Sequence, residues 1–315
     1  LHGLVFVAAI TIISGAIDLP FTLYRTFVIE ARFGFNRMTL ALFVADLAKG
    51  AAIGAALGLP LLAAVLWLME RMGSMWWFYV WLTWVGFNLL VLVLYPTVIA
   101  PLFNRFSPLQ DESLRGRIEA LLAKCGFRSK GLFVMDGSKR SSHGNAYFTG
   151  LGASKRIVFF DTLLSRLAPA EVEAVLAHEL GHFRRRHVLK RIVWLFAASL
   201  AFLALLGYLI DQPWFYAALG VERGGTAMAL ALFFMVIPVF TFLLHPLGSL
   251  YSRKHEYEAD AYAAEHASAA DLIRALVKLY QDNASTLTPD PLHSAFYDSH
   301  PPASLRVARL QALAR

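Results

Sequence analysis

The segment EVEAVLAHELGHFRRRH, residues 171–187, carries the side chains of this chain best suited to metal chemistry. His178 and His182 are four residues apart, so on a helix both imidazoles lie on one face, one turn apart. They can therefore bind one metal ion, while Glu179 is placed to hold and deprotonate a metal-bound water. The H-E-x-x-H pattern predicts a hydrolytic metal site. The alternative is an amphipathic helix that carries two histidines and an acid by chance.

A catalytic zinc ion takes three protein ligands and a water, so two histidines require a third and distant partner. Glu256 and Asp260 share a face if their segment is helical, so one carboxylate can bind metal while the other accepts a histidine N–H. Spacing alone leaves the choice of ligand open among His255, Glu256, Glu258 and Asp260. A charged helix just outside a membrane span is the alternative interpretation.

The elements that must position these residues are mostly membrane helices. Of the 315 residues, 57% are hydrophobic and only 16% are charged, against about 25% charged residues in soluble domains. Five apolar stretches are long enough to cross a bilayer, which takes about 20 residues. These stretches cover about residues 4–24, 40–69, 76–100, 192–210 and 226–250.

Several polar residues lie within these stretches or close to their ends. Asp18, Asp46, Lys49, Asn88 and His245 are costly in lipid, and such residues usually face a bundle interior or a wet cavity. They indicate a hydrated interior, although Asp46 and Lys49 are equally compatible with the interface end of their helix. A transporter is one function that such residues favour, but it does not account for the metal-site motifs.

Positive charge is distributed unevenly over the polar segments. The net charge is +7, and 26 of the 29 Lys and Arg residues lie in residues 25–39, 101–191 and 251–315. Because each span changes sides, these three segments share one face, which the positive-inside rule places in the cytoplasm. The charges therefore indicate the lipid bilayer as partner and argue against nucleic acid. Two spans separate the motif helix from the C-terminal segment, so both reach the same face.

The polar region between the third and fourth spans combines helix and strand patterns. Residues 111–125 have an apolar helical period, and residues 131–136 and 156–161 have the composition of short strands. Between the strands, SSHGNAYFTG at residues 141–150 begins with a polar turn and leads into a further strand. This region is therefore expected to form a small α/β domain.

Pro169 opens the H-E-x-x-H helix at a position where its missing N–H costs nothing. We expect this helix to run on into the fourth span. Arg184–Arg186 and His187 would then lie at the membrane interface, with lipid headgroups as partners. Intramembrane zinc proteases place H-E-x-x-H within an apolar span, whereas here FRRRH follows it. The motif is therefore expected at or outside the interface.

Four motifs, HELGH, RKHEYEAD, SSHGNAYFTG and the SHPPASLR of Ser299–Arg306, resemble one family. It is the integral-membrane zinc endopeptidases that include the type I CaaX prenyl proteases. Further similarity lies in residues 23–36, 99–103 and 155–164, so the resemblance covers essentially the whole chain in collinear order.

The resemblance implies roles for the residues around the metal. His178 and His182 match the two histidine ligands of one Zn²⁺ ion per chain, and Glu179 matches the catalytic glutamate. Glu256 matches the third ligand. Asp260 matches an acid that orients a ligand histidine, and we therefore predict it to be one of the catalytic residues.

The resemblance also implies roles toward substrate. Asn145 matches an asparagine that holds the substrate backbone along an edge strand, whereas His300 and Arg306 match residues that assist the oxyanion and the substrate. Each residue has a simpler alternative. Asn145 can be a turn residue, His300 a loop histidine and Arg306 a solvated helix charge.

The predicted fold is mainly α, a polytopic membrane protein with a mixed α/β zinc-peptidase domain on the cytoplasmic face. Three spans occupy residues 1–104, the zinc-peptidase region 105–190, two spans 191–250, and a C-terminal helical region with the third ligand 251–315. The resemblance implies seven spans, so two are expected to precede Leu1 and the N-terminus to be truncated.

The predicted function is a zinc-dependent membrane endopeptidase acting on peptides or proteins. The resemblance implies removal of C-terminal residues after a prenylated cysteine, or membrane-protein quality control if the source is a bacterium. The Ala- and Leu-rich composition favours a bacterial source. The expected location is the inner membrane of a bacterium or the endoplasmic reticulum of a eukaryote. The alternative is a non-catalytic, zinc-binding membrane scaffold or holdase.

Overall fold

The computed structural model of the chain describes residues 1–149, 156–222 and 224–314. It divides into two compact units. The first, called the membrane unit after its predicted spans, comprises Leu1–Tyr95 and Arg191–Phe242. The second contains the predicted zinc-peptidase region and is called the peptidase unit; it comprises Pro96–Lys190 and Leu243–Arg315.

The chain is mainly helical, as predicted. Its helices are α1 (His2–Tyr24), α2 (Leu40–Arg71), α3 (Trp76–Leu94), α4 (Ala100–Phe103), α5 (Glu112–Lys124), α6 (Asp161–Leu164), α7 (Pro169–Arg184), α8 (His187–Leu209), α9 (Pro213–Ala217), α10 (Thr226–Thr241), α11 (His245–His266), α12 (Ala269–Asp282), α13 (Pro291–Tyr297) and α14 (Ala303–Leu313). Its strands are β1 (Phe106–Pro108), β2 (Leu132–Met135), β3 (Ala146–Thr149) and β4 (Arg156–Phe160).

Within the described residues, five continuous helical stretches are long and apolar enough to cross a membrane, which confirms the predicted number. They are His2–Glu30, Leu40–Arg71, Gly73–Phe103, His187–Leu209 and Thr226–His266. The last stretch includes α10, a short 3-10 turn and the whole of α11, so its C-terminal half is the polar segment that carries the predicted third ligand.

The membrane unit buries a small apolar core and leaves most of its surface apolar. A Cβ at Gly207 of α8 would lie 2.7 Å from Cδ1 of Trp77, so the glycine permits close approach to α3. The indole N–H of Trp81 donates to the Phe196 carbonyl at 2.9 Å. Outward side chains such as Trp194 are more than half exposed, as a lipid-facing surface requires. The core includes Leu66, Met69, Trp76, Val80, Leu206, Ala229 and Phe233.

The peptidase unit contains a four-stranded sheet in the order β1-β2-β4-β3. β2 and β4 are parallel, whereas β1 and β3 pair antiparallel to β2 and β4. The predicted strands in residues 131–136 and 156–161 are confirmed, and the further strand is β3. Strand β1 was not predicted, because three residues that end in proline give no alternating pattern. β3 is an edge strand.

The H-E-x-x-H helix and the fourth span are separate helices, so the expectation of one continuous helix is wrong. α7 ends at Arg184, and α8 begins at His187. Arg186 has φ of +56°, in the left-handed region that non-glycine residues seldom occupy. Its N–H donates to the Phe183 carbonyl at 3.0 Å. This turn ends the helical hydrogen-bond ladder and redirects the chain.

Candidate metal centre

Helix α7 has a well-defined start in the peptidase unit. Pro169 occupies its first turn, as predicted. The Glu171 carboxylate accepts the Ala168 N–H at 2.7 Å and pairs with Lys278 of α12 at 2.6 Å. Apolar side chains at helical spacing then bury one face of α7 in the core of the unit. Both motif histidines follow on this anchored helix.

Three predicted ligands converge between α7 and α11. His178 Nε2 and His182 Nε2 are 3.1 Å apart, as expected for residues one helical turn apart. Glu256 of α11 reaches both rings, with Oε2 at 3.5 Å from His178 Nε2 and Oε1 at 3.3 Å from His182 Nε2. This trio is the only group of metal-ligating side chains of its kind within the described residues.

The donor set fits a tetrahedral zinc ion. Zinc–nitrogen bonds of about 2.1 Å at tetrahedral angles put donor atoms roughly 3.4 Å apart, close to the three separations here. Glu256 Oε2 is buried and has no hydrogen-bond partner among the described residues. A buried carboxylate oxygen is costly without a partner, and a cation between the three side chains would supply one. The residues present therefore fit a bound metal.

Asp260 contacts His178 at Nδ1, the ring nitrogen remote from the ligand trio, and Arg306 in turn contacts Asp260. Asp260 Oδ1 lies 2.9 Å from His178 Nδ1, and Asp260 accepts two hydrogen bonds from the Arg306 guanidinium at 2.9 and 2.6 Å. Asp260 is 1% exposed and Arg306 is 5% exposed. Burial lowers the pKa of His178, but hydrogen bonds to Asp260 and Glu256 outweigh it and raise the pKa to about 9. His178, Asp260 and Arg306 thus form one buried, hydrogen-bonded charge network.

His182 is held in a different way, through His187. His182 Nδ1 lies 3.0 Å from His187 Nδ1, and His187 Nε2 lies 3.0 Å from Glu258 Oε2. His187 is 2% exposed, so the expectation that it faces lipid headgroups is wrong. The turn at Arg186 folds it back toward the motif. Glu258 and His255, left open as ligands by spacing, both contact His187.

Glu179 follows His178 on α7, and His300 lies beside Glu256. Burial raises the pKa of the Glu179 carboxyl, while the neighbouring His178 and His182 oppose that shift. His300 Nε2 is 3.4 Å from Glu256 Oε1, and its side chain is 61% exposed. The arrangement provides a carboxylate for proton transfer and an exposed imidazole beside the ligand set.

Asn145 immediately precedes edge strand β3. Its side-chain oxygen accepts the Ala146 N–H at 2.8 Å, and its carbonyl accepts the Phe160 N–H at 2.9 Å. The residue itself is exposed. The last residue of the SSHGNAYFTG motif, Gly150, lies outside the described residues. His143, two positions before Asn145, contacts Asn283, the residue that follows α12, at 2.5 Å.

Two residues around the ligands escaped sequence analysis. His187 follows three arginines and therefore matched the pattern of an interfacial segment. Gly181 lies inside the motif, where it keeps the contact between α7 and α11 free of a side chain. For His187, the available sequence signal was its position five residues after His182. On a continuous helix that spacing separates the rings by about 140°, so it predicts contact only if the helix breaks.

Two family profiles together match nearly the whole chain. The profile described as "CAAX prenyl protease N-terminal, five membrane helices" matches residues 1–105. The profile described as "Peptidase family M48" matches residues 108–314.

Individual relatives agree with the profiles. The chain is 41% identical to a CAAX prenyl protease 1 homolog of Arabidopsis thaliana, over 99% of this chain and 73% of the relative. It is 36% identical to CAAX prenyl protease 1 of Saccharomyces cerevisiae, over 98% of this chain and 72% of the relative. A crystal structure of S. mikatae Ste24p matches with a TM-score of 0.91 at 35% identity, covering 98% of this chain and 75% of that chain.

These comparisons confirm the predicted family, the membrane-embedded helical fold and the peptidase activity. The metal that the family name implies agrees with the trio of His178, His182 and Glu256. The chain therefore belongs to peptidase family M48, and it is a multi-pass membrane metalloprotease that resembles the CAAX prenyl proteases.

Proposed function

We propose that this metalloprotease binds one zinc ion through His178, His182 and Glu256. The observation that carries the proposal is the convergence of three donors at tetrahedral spacing, one of them a carboxylate whose buried Oε2 has no hydrogen-bond partner among the described residues. Two imidazoles and one carboxylate with an open position are a common ligand set of catalytic zinc. Zinc bound there supplies Lewis acidity, which polarises a carbonyl and acidifies water.

Glu179 is the proposed proton carrier. Its carboxyl follows the first proposed ligand on α7, and burial raises its pKa above the ordinary value, which favours proton uptake. It takes a proton from the attacking water and delivers it to the amine of the leaving peptide. The scissile C–N bond breaks, and a carboxylate and an amine are released.

The other predicted site residues are proposed to position groups or bind substrate. Asp260 orients His178, and Arg306 holds Asp260 through two hydrogen bonds. Exposed His300 is the proposed donor to the developing oxyanion. Asn145 at the free edge of β3 is proposed to bind the substrate backbone, which would extend the sheet.

The proposed substrate is a C-terminal CaaX peptide with a prenylated cysteine. This proposal rests on the names of the relatives, which are CAAX prenyl proteases. The excess of Lys and Arg in three polar segments supports a site on the cytoplasmic face. The membrane would be the endoplasmic reticulum in a eukaryote or the inner membrane in a bacterium.

A cleavage assay tests these proposals. The detergent-solubilised chain is given matched farnesylated and plain CaaX peptides, with and without a chelator. We expect chelator-sensitive cleavage that favours the farnesylated peptide, and we expect Glu179→Gln to keep zinc and lose cleavage. Equal cleavage of both peptides contradicts the prenyl preference. Activity that survives chelation or Glu179→Gln contradicts the proposed mechanism, and a zinc-loaded chain that cuts neither peptide favours a non-catalytic scaffold.

A further inference from the structure

We infer that His187 and Glu258 form a relay that fixes the ring of the metal ligand His182, so that His187 is a positioning residue of the site. The contacts are His182 Nδ1 to His187 Nδ1 at 3.0 Å and His187 Nε2 to Glu258 Oε2 at 3.0 Å. This inference rests on the proposed function, because it assigns a role toward the proposed metal.

Hydrogen-bond chemistry gives the relay a direction. His182 directs Nε2 at the ligand set, 3.3 Å from Glu256 Oε1, so a metal-binding His182 carries its one ring proton on Nδ1. That N–H donates to His187 Nδ1, which must then be unprotonated. The proton of His187 is therefore on Nε2, where it is donated to the Glu258 carboxylate. A carboxylate can only accept, so Glu258 sets the tautomer of both rings.

The position of His187 is built into the backbone. His187 is five residues after His182, and five helical residues would turn the two side chains about 140° apart. The left-handed Arg186 breaks the helix and lets the rings meet, with centroids 5.1 Å apart and planes at 75°. His255 stacks on His187, with centroids 3.9 Å apart and planes at 10°. The ring is thus held on several sides.

The other ligand histidine has a matching arrangement, which supports the assignment. His178 contacts Asp260, and Asp260 accepts two hydrogen bonds from Arg306. The Nδ1 atom of each histidine is therefore connected to a carboxylate of α11, directly to Asp260 for His178 and through His187 to Glu258 for His182. Hydrogen-bond partners of metal-ligating histidines typically contribute about 10–100-fold to metal affinity.

The test compares three variants of the full chain in detergent. His187→Leu removes the acceptor, His187→Asn returns an acceptor oxygen at the δ position, and His293→Ala changes an exposed histidine of α13 outside the site. Zinc affinity is measured by competition with a chromophoric chelator, and Co²⁺ binding by its visible absorption spectrum. Thermal unfolding of the metal-free proteins shows whether each variant is folded.

We expect His187→Leu to weaken zinc binding by about 10–100-fold and to alter the Co²⁺ spectrum. His187→Asn should recover most of the affinity, and His293→Ala should match the parent chain. Unchanged zinc affinity in a folded His187→Leu variant overturns the relay while leaving the proposed function intact. If His187→Asn binds zinc no more tightly than His187→Leu, the relay is also overturned, because the shape of the side chain and not its acceptor atom would then determine zinc affinity. A parent chain that binds no zinc overturns both proposals.

Discussion

The Cα atom of Ala259 on α11 lies 2.9 Å from the position that a Cβ at Gly181 on α7 would occupy. The Tyr262 Cβ would be at 3.0 Å from the same position. Both distances are shorter than van der Waals contact, so only glycine permits this approach. Because α7 carries His178 and His182 and α11 carries Glu256, this contact affects the separation of the three proposed ligands.

Gly181→Ala should therefore weaken the site without changing any ligand. We expect a loss of about 1–3 kcal/mol in the free energy of unfolding, as for other overpacked contacts, together with reduced zinc affinity. Gly116→Ala on α5 is the matched control, because a Cβ there meets nothing within 4 Å. Alanine stabilises an exposed helix by about 1 kcal/mol relative to glycine. Urea unfolding of both variants checks the prediction, and equal stabilisation would contradict it.

Removal of metal should destabilise the peptidase unit. Glu256 Oε2 has no hydrogen-bond partner among the described residues, so the metal-free state retains a buried, unsatisfied oxygen. A ligand at 1,000 times its Kd stabilises a protein by about 4 kcal/mol. We expect a chelator to lower the thermal unfolding midpoint and added Zn²⁺ to restore it. Glu256→Gln should abolish this response, and a chelator effect of the same size in that variant would contradict the assigned ligand.

Asp260→Asn should lower both stability and metal affinity. The substitution leaves the buried Arg306 guanidinium with Glu256, 3.6 Å away, as a remaining carboxylate contact, and it removes the carboxylate beside His178 Nδ1. Loss of one partner of a buried ion pair costs about 3–5 kcal/mol. Glu112→Gln changes an exposed acid of α5, paired with Arg115, and should alter the free energy of unfolding by less than about 0.5 kcal/mol. Equal effects of both changes on unfolding and zinc affinity would refute the assigned role.

Arg253→Met should reduce turnover while leaving zinc binding unchanged. The Arg253 guanidinium of α11 donates to the carbonyl oxygens of Ser294 and Asp298, at the end of α13 and just before His300. Without it, His300 is expected to shift from its place 3.4 Å from Glu256. We expect a fall in kcat of about tenfold, less than the 10²–10³-fold typical of deleting an oxyanion donor.

The neighbouring Lys254→Met is the control for this prediction, because Lys254 is exposed on the same helix. Steady-state kinetics with one peptide substrate, together with zinc content, separate the two effects. Loss of zinc in Arg253→Met would show that Arg253 supports α11 rather than the segment before His300.

Local patterns were sufficient for the elements with strong periodicity. The apolar spans, the α7 motif and the strands in residues 131–136 and 156–161 were all predicted from composition and spacing. Spacing could not choose among the acids of residues 253–263, because helical geometry allows several to face the metal. The resemblance to a known family indicated Glu256, and the structure brings that residue to both histidines.

The features missed depend on backbone conformation rather than on pattern. Arg186 adopts a left-handed conformation that no local signal predicts for arginine, and without that turn His187 has no reason to approach His182. The role of Gly181 is likewise invisible without its neighbour, because a glycine within a helical motif resembles any other tolerated glycine. In both cases tertiary contacts outweigh local preference.

The two halves of the metal site are made at different times during synthesis. His178 and Asp260 are 82 positions apart, and α8 and α10 must both emerge from the ribosome between them. A nascent chain that ends before α11 lacks Glu256 and the carboxylates behind both histidines. For the proposed ligand set such a chain is incomplete, so it is expected to bind no zinc and to cut no peptide. The order of the helices thus ties the expected onset of activity to the synthesis of α11.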